Sequence, residues 1–277
     1  MIDGGQTPKQ LKTYASHQVM IKRNLQRPRC KRMLASLLCL SLGHAVHAAE
    51  VRVAVAANFA TPLKALSADF EKASGHTLLM SSGATAKLYA QIKNGAPFDV
   101  LLAADTDTPA RLEQEGRVVA GSRFTYASGR LVLWSAQPGR VDGQGRVLVS
   151  GQFKHLALAA PKLAPYGAAA VQTLTRLGLL DQLAPRFVQG ESIGQTYNFV
   201  ATGNAELGFV ALSQVTEQGK ISQGSGWIVP AHLHQPLHQD AALLLPGAHN
   251  PAASALLAFL KTALVRARLR AFGYETP

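Results

Sequence analysis

From Val51 onward the chain alternates short apolar runs with stretches whose apolar residues recur at every third or fourth position. The runs at 51–56, 76–80, 98–103, 131–134, 155–160, 187–188, 207–210 and 241–245 have the length and β-branched content of buried strands. Between them lie helical patterns. Leu63, Leu66, Phe70 and Ala73 follow Thr61-Pro62 at helical spacing, and Gly75 is a natural stop. Residues 87–93 read as a helix closed by Asn94-Gly95. Asp107-Thr108-Pro109 opens another that carries Leu112. Helices are expected at 168–180 and 195–202, and one long amphipathic helix at about 251–272. Strands alternating with helices predict an α/β fold with mostly parallel sheets.

The strand–helix pattern pauses at 121–134 and then begins again, without a sequence repeat. Two α/β units are expected, with a final strand and helix returning to the first. The lobes are then 49–128 with 237–277, and 129–236, joined by crossings near Ser128 and Gln235. Such a two-strand hinge encloses ligand between lobes. Within each lobe the ligand sits beyond the carboxyl ends of the strands, where helices start.

Four of these strand-to-helix junctions are built from small, neutral residues: 51–58 ending Ala57-Asn58, Ser81-Ser82-Gly83-Ala84-Thr85, Ala164-Pro165-Tyr166-Gly167 and Glu191-Ser192-Ile193-Gly194. A helix start carries unpaired N–H groups and the positive end of the peptide dipoles. Four of them aimed at one point would hold a small dianion without Lys or Arg.

The formal charge of +12 changes little in this picture. Eight basic residues against Asp3 alone fall within the first 48 positions, a surplus of seven that leaves +5 for the remainder. No dense basic run follows Ala49, so a nucleic-acid partner is not expected. The skew belongs to a secretory signal: a basic segment at 27–32, an apolar segment at 33–42, and small residues at Val46 and Ala48 for cleavage before Ala49. The apolar segment is about half the length that spans a bilayer. Residues 1–48 are read as an N-terminal extension and signal peptide, and the mature protein as periplasmic. Cys30 and Cys39 both lie in the removed part, which leaves no thiol or disulfide chemistry.

Several stretches together resemble the periplasmic molybdate-binding proteins of ABC importers. They are Ala54-Val55-Ala56-Ala57-Asn58-Phe59, Ser81-Ser82-Gly83-Ala84-Thr85, the run from Gln91-Ile92-Lys93-Asn94-Gly95-Ala96-Pro97 to Ala103-Ala104-Asp105, Gly121-Ser122-Arg123-Phe124-Thr125-Tyr126-Ala127, Ala164-Pro165-Tyr166-Gly167 and Leu207-Gly208-Phe209-Val210. The resemblance covers 49–274. It implies a two-lobed, type II periplasmic-binding-protein fold that holds molybdate or tungstate through backbone N–H groups and hydroxyls. It also implies an ABC permease as partner and a monomeric protein without cofactor. Carried over position by position, the oxyanion ligands are Ala57, Asn58, Thr85, Tyr166 and Ile193. Ala57 stands where some relatives carry a hydroxyl. Ala211 and Leu212 stand where relatives often have a tyrosine nearby.

Ordinary roles compete at each position. Asn58 and Thr85 suit helix N-caps, and Tyr166 suits a packed aromatic whose backbone amide alone would act. Glu191 would repel a dianion if it faced inward; it is expected to face solvent or pair with Lys or Arg. His232, His234 and His238 have zinc-like spacing but lie in a loop and are read as solvated. No nucleophile elbow, phosphate loop or metalloprotease motif occurs, so the chain is not read as an enzyme. A receptor for sulfate or phosphate, and more remotely an exported enzyme using the same cleft, are the alternatives.

Overall fold

Residues 48–277 are described by the computed structural model, and most of their strands fall into two five-stranded sheets. The first part of the chain forms β1 (Glu50–Ala56), α1 (Ala60–Ser74), β2 (Thr77–Gly83), α2 (Thr85–Lys93), β3 (Val100–Leu102), α3 (Asp107–Gln114) and β4 (Phe124–Gly129). The second part forms β5 (Leu131–Ser135), α4 (Val147–Ser150), β6 (Leu156–Ala159), α5 (Pro165–Arg176), α6 (Leu180–Leu183), β7 (Phe187–Gly190), α7 (Ile193–Ala201) and β8 (Leu207–Ala211). A hairpin of β9 (Thr216–Glu217) and β10 (Lys220–Ile221) precedes β11 (Ser225–Ile228). The chain then closes with β12 (Leu237–Leu243), α8 (Pro251–Leu260) and α9 (Ala263–Ala271).

The first sheet has the order β2-β1-β3-β12-β4 and the second β7-β6-β8-β5-β11. The two orders are the same pattern, although the sequences of the halves are not alike. The chain leaves the first sheet through Arg130 and returns through 229–236. Strand alternation sorts the core into layers. Val51, Val53, Val55, Val100 and Leu102 pack beneath α1 and α8, while Ala54, Leu101 and Ala103 pack on the other face with Leu88, Ile92 and Leu112. In the second sheet Leu131, Leu133, Leu156, Leu158 and Phe209 face α5, whereas Val132, Trp134, Ala157 and Val210 face the α7 side.

The α/β class and two-sheet architecture match the expectation, but the sheets are mixed rather than mostly parallel. β1 pairs parallel with β2 and β3, and β6 with β7 and β8. β12 and β5 run antiparallel to both neighbours. These are the two strands that enter a sheet directly from the other one, so no helical crossover fixes their direction. The expected long C-terminal helix is also broken. Thr262 interrupts it and caps α9, its hydroxyl accepting the Val265 N–H at 3.3 Å. β4, expected only as a lead-in, is a full strand paired with β12.

Candidate functional site

β2 runs into α2 across a single residue, whereas a five-residue turn, 160–164, joins β6 to α5. α2 begins at Thr85, two residues after β2, and α5 at Pro165, three residues earlier than the periodicity suggested. Gly167 permits the second approach: a Cβ there would lie 2.1 Å from the Ala159 carbonyl oxygen at the end of β6.

The four helix starts meet at a small, partly open cavity. Ala56, Ala57, Asn58, Gly83, Ala84, Thr85 and Ala104 line it from the first sheet, and Ala164, Pro165, Tyr166 and Ile193 from the second. All five residues singled out in the sequence are therefore brought together. None of the lining residues is charged.

The caps of these helices are unusual. Ala84 and Ala164 occupy the N-cap positions of α2 and α5, and Ala56 that of the 3-10 turn Ala57–Phe59 that leads into α1; none provides a side-chain hydrogen bond. Alanine is a poor N-cap, by about 1 kcal/mol against Ser or Asp. Only Ser192 caps conventionally, accepting the Gln195 N–H at 3.2 Å. Among the described residues, the N–H groups of Asn58, Thr85, Tyr166 and Ile193 donate to no backbone carbonyl outside their own helices, and a helix offers its first residues none. Unsealed donors, dipole ends and an uncharged lining suit this cavity to an acceptor-only anion.

Side chains refine that donor set. Thr85 is buried, and its hydroxyl accepts the Ala104 N–H at 3.2 Å, which leaves its own proton to donate. Thr85 is thus not the N-cap of α2 but its first residue. Asn58 does not cap its helix either. Its Nδ2 is 2.9 Å from Gln239 Oε1 and 3.0 Å from the Tyr274 hydroxyl, while its Oδ1 is buried without a partner. The Asn58 carbonyl accepts from Ser213 and Tyr274, each at 2.9 Å. Ser213 follows Leu212, the region where sequence comparison left a tyrosine missing; Tyr274 from the C-terminus supplies one beside Asn58. The Tyr166 ring is packed as expected, with its hydroxyl 3.1 Å from Gln239 Nε2. Burial raises the pKa of Tyr126, Tyr166 and Tyr274, so all three hydroxyls keep their protons. Gln239, Ser213 and Tyr274 were not singled out in the sequence, and Tyr126 only as part of the stretch 121–127; each lies far along the chain from its partner at Asn58 or Gln239.

Contacts from both halves close around the cavity. The Ala86 N–H donates to the Leu163 carbonyl at 3.2 Å. Lys87 Nζ meets Glu191 Oε2 at 2.5 Å, so the Glu191 carboxylate is paired with a cation from the first half, as expected. Of the histidines read as solvated loop residues, His234 is instead buried beside the Gln235 carbonyl, and His238, though exposed, lies in β12 beside Ser128. No cluster of His, Cys, Asp or Glu suited to a cation occurs among the described residues.

The pattern of the bacterial extracellular solute-binding proteins matches residues 51–275. The chain is 56% identical over 243 residues to the molybdate-binding protein ModA of Azotobacter vinelandii, covering 88% of this chain and 96% of that protein. It is 49% identical over 253 residues to the molybdate-binding protein ModA of Rhodobacter capsulatus, covering 91% and 99%. A solved periplasmic molybdate-binding protein of Azotobacter vinelandii superposes with a TM-score of 0.80 at 43% identity, over 82% of this chain and 99% of that one. With this fold and these relatives, the chain belongs to the bacterial extracellular solute-binding protein family, alongside its molybdate-binding members.

Proposed function

We propose that this protein captures molybdate, and tungstate, in the periplasm and delivers it to the membrane subunits of an ABC importer. The observation that carries the proposal is the uncharged cavity at helix starts left unsealed by alanine. A tetrahedral dianion accepts hydrogen bonds at every oxygen and donates none. The backbone N–H groups of Ala57, Asn58, Tyr166 and Ile193 and the hydroxyl of Thr85 supply donors already fixed in place. Hydrogen bonds to an ionised acceptor are about twice as strong as neutral ones, and within each lobe the donors are held in place by the helix starts themselves.

The lobes 49–128 with 237–277, and 129–236, close over the ligand. Anion held by Asn58 and Thr85 recruits the amides of Tyr166 and Ile193 from the other lobe, and the closed form gains by its higher affinity. The permease reads that closed shape. Residues 1–48 direct export, and the mature protein acts as a monomer, without nucleic acid, cofactor or catalysis. Selectivity follows from the same donors. Hydrogen phosphate carries an O–H that a donor-only site leaves unpaired, a loss of a few kcal/mol. Sulfate matches molybdate in charge and shape, and cavity size separates the two.

Titration calorimetry with molybdate, tungstate, sulfate and phosphate tests the proposal. Tight binding of the first two and none of phosphate is expected. Sulfate bound as tightly as molybdate would reassign the protein to sulfate. Turnover of an oxyanion ester by the purified protein would make it an enzyme.

A further inference from the structure

We infer that Ser213 is a positioning residue of this site: from the second half of the chain it holds the Asn58 turn of the first, while its neighbour Gln214 holds the start of α7. The inference rests on the oxyanion reading of the cavity. Donors from two halves serve one small anion only at one spacing, because a hydrogen bond weakens steeply outside a narrow range of length and angle.

The 3-10 turn Leu212–Gln214 follows β8 directly, and each of its three residues is tied to a different place. The Leu212 N–H donates to the carbonyl of Arg130, the crossing residue, at 2.9 Å. Ser213 is buried, and its Oγ donates to the Asn58 carbonyl at 2.9 Å. The Gln214 side chain spans two backbone groups. Its Oε1 accepts the Ala211 N–H at 3.0 Å, and its Nε2 donates to the Ile193 carbonyl at 3.1 Å. A backbone N–H at one end and a carbonyl at the other leave this carboxamide a single setting. In a helical turn the N–H and C=O of a residue point in opposite directions along the axis. Bonds to the Asn58 and Ile193 carbonyls therefore grip both donor turns from the side away from their N–H groups.

The two donor turns also stand against each other. A Cβ on Gly194 would lie 3.4 Å from the Ala57 Cβ. Ser213 differs from the second hydroxyl at Asn58. Tyr274 lies 2.9 Å from the same carbonyl and 3.1 Å from Ser213 Oγ, but it belongs to the returning segment and travels with Asn58. When the lobes part, the Tyr274 proton serves the Asn58 carbonyl and the Ser213 bond is broken. The Ser213 bond thus favours only the form in which the halves meet around the anion.

Ser213→Ala tests this, because Tyr274 remains to satisfy the Asn58 carbonyl. The net worth of one hydrogen bond corresponds to about 2- to 12-fold in an equilibrium constant. Molybdate affinity by calorimetry should fall by that factor. The loss should appear as equally faster release of ⁹⁹Mo-labelled molybdate, with the association rate unchanged, because the bond forms after the anion has entered. Ligand-free Ser213→Ala should melt with wild type, and only the upward shift of Tm on adding molybdate should shrink. Gln214→Met frees the start of α7 within one half, so it should weaken binding and lower the ligand-free Tm as well. A Ser213→Ala protein whose Tm falls equally with and without molybdate, and whose release rate matches wild type, would overturn the inference: the hydroxyl would then be structural in both forms. Wild-type protein that binds sulfate and not molybdate would count against the proposed function alone, and ³⁵S-labelled sulfate then makes the same release comparison. Binding of neither anion would overturn both.

Discussion

Replacing Thr85 by valine separates the two jobs of one hydroxyl. Valine keeps the shape and removes the oxygen. Thr85 is 2% exposed, so water does not replace what is lost. Its Oγ1 is the recorded acceptor for the Ala104 N–H, at 3.2 Å. A buried donor left unpaired costs about 1–3 kcal/mol, and at this chain length each kcal/mol lowers Tm by about 2–4 °C. Ligand-free Thr85→Val should therefore melt about 2–12 °C below wild type. The second loss appears only with ligand. A hydrogen bond to a charged acceptor contributes about 1.5–3 kcal/mol, so molybdate should bind roughly 10- to 150-fold more weakly by calorimetry. Thr85→Ser keeps the oxygen and should stay near wild type in both measurements. A Thr85→Val protein that loses stability but binds molybdate within twofold of wild type would refute the reasoning: the hydroxyl would then be a structural acceptor with no part in binding.

Other perturbations probe the frame around the site. Gly129→Ala places a Cβ 1.9 Å from the Tyr166 hydroxyl and 2.6 Å from Gln239 Nε2; overpacking of this kind costs about 1–3 kcal/mol, to be read as a lower urea midpoint. Lys87→Ala removes the ion pair to Glu191 across the cavity mouth; both partners are substantially exposed, so the effect on molybdate affinity should stay within about 1 kcal/mol and shrink further in high salt. Burial pushes the His234 imidazole below its ordinary pKa, aided by nearby Arg176 and opposed by the Gln235 carbonyl. Its neutral form thus contributes stability that is complete above about pH 6.5 and is lost as pH falls through the lowered folded value. His234→Gln should flatten that part of the Tm-against-pH curve, and an unchanged slope would exclude His234 as its source.

The layered core was readable because the strands are apolar on both faces, as the stretch from Val51 to Ala56 is, and the helices between them keep a clean period. The junctions were readable because each is built from small, neutral residues where a strand meets a helix; that Ala56, Ala84 and Ala164, rather than Asn58 and Thr85, stand at the cap positions emerged only from the structure. Strand direction was not. Whether β5 and β12 run with or against their neighbours depends on which sheet the chain arrives from, and periodicity carries no record of that. The break at Thr262 was hidden because apolar spacing continues on both sides of it. The polar shell behind Asn58 was hidden for a third reason. Gln239 and Tyr274 lie 181 and 216 residues from Asn58, and Gln239 sits in a polar run, His238-Gln239-Asp240, that gives no sign of which of the three faces the site. Glu191 was ambiguous in sequence and became clear only with Lys87 opposite it.

The central claim is that uncharged donors alone hold the anion. A crystal structure of the molybdate complex, with the metal located by its anomalous scattering, measures this most directly. The account predicts molybdenum in the cavity between Asn58, Thr85, Tyr166 and Ile193, its oxygens met by N–H and O–H groups and by no Lys or Arg. Molybdenum found elsewhere, or a lysine or arginine folded in against its oxygens, would contradict it.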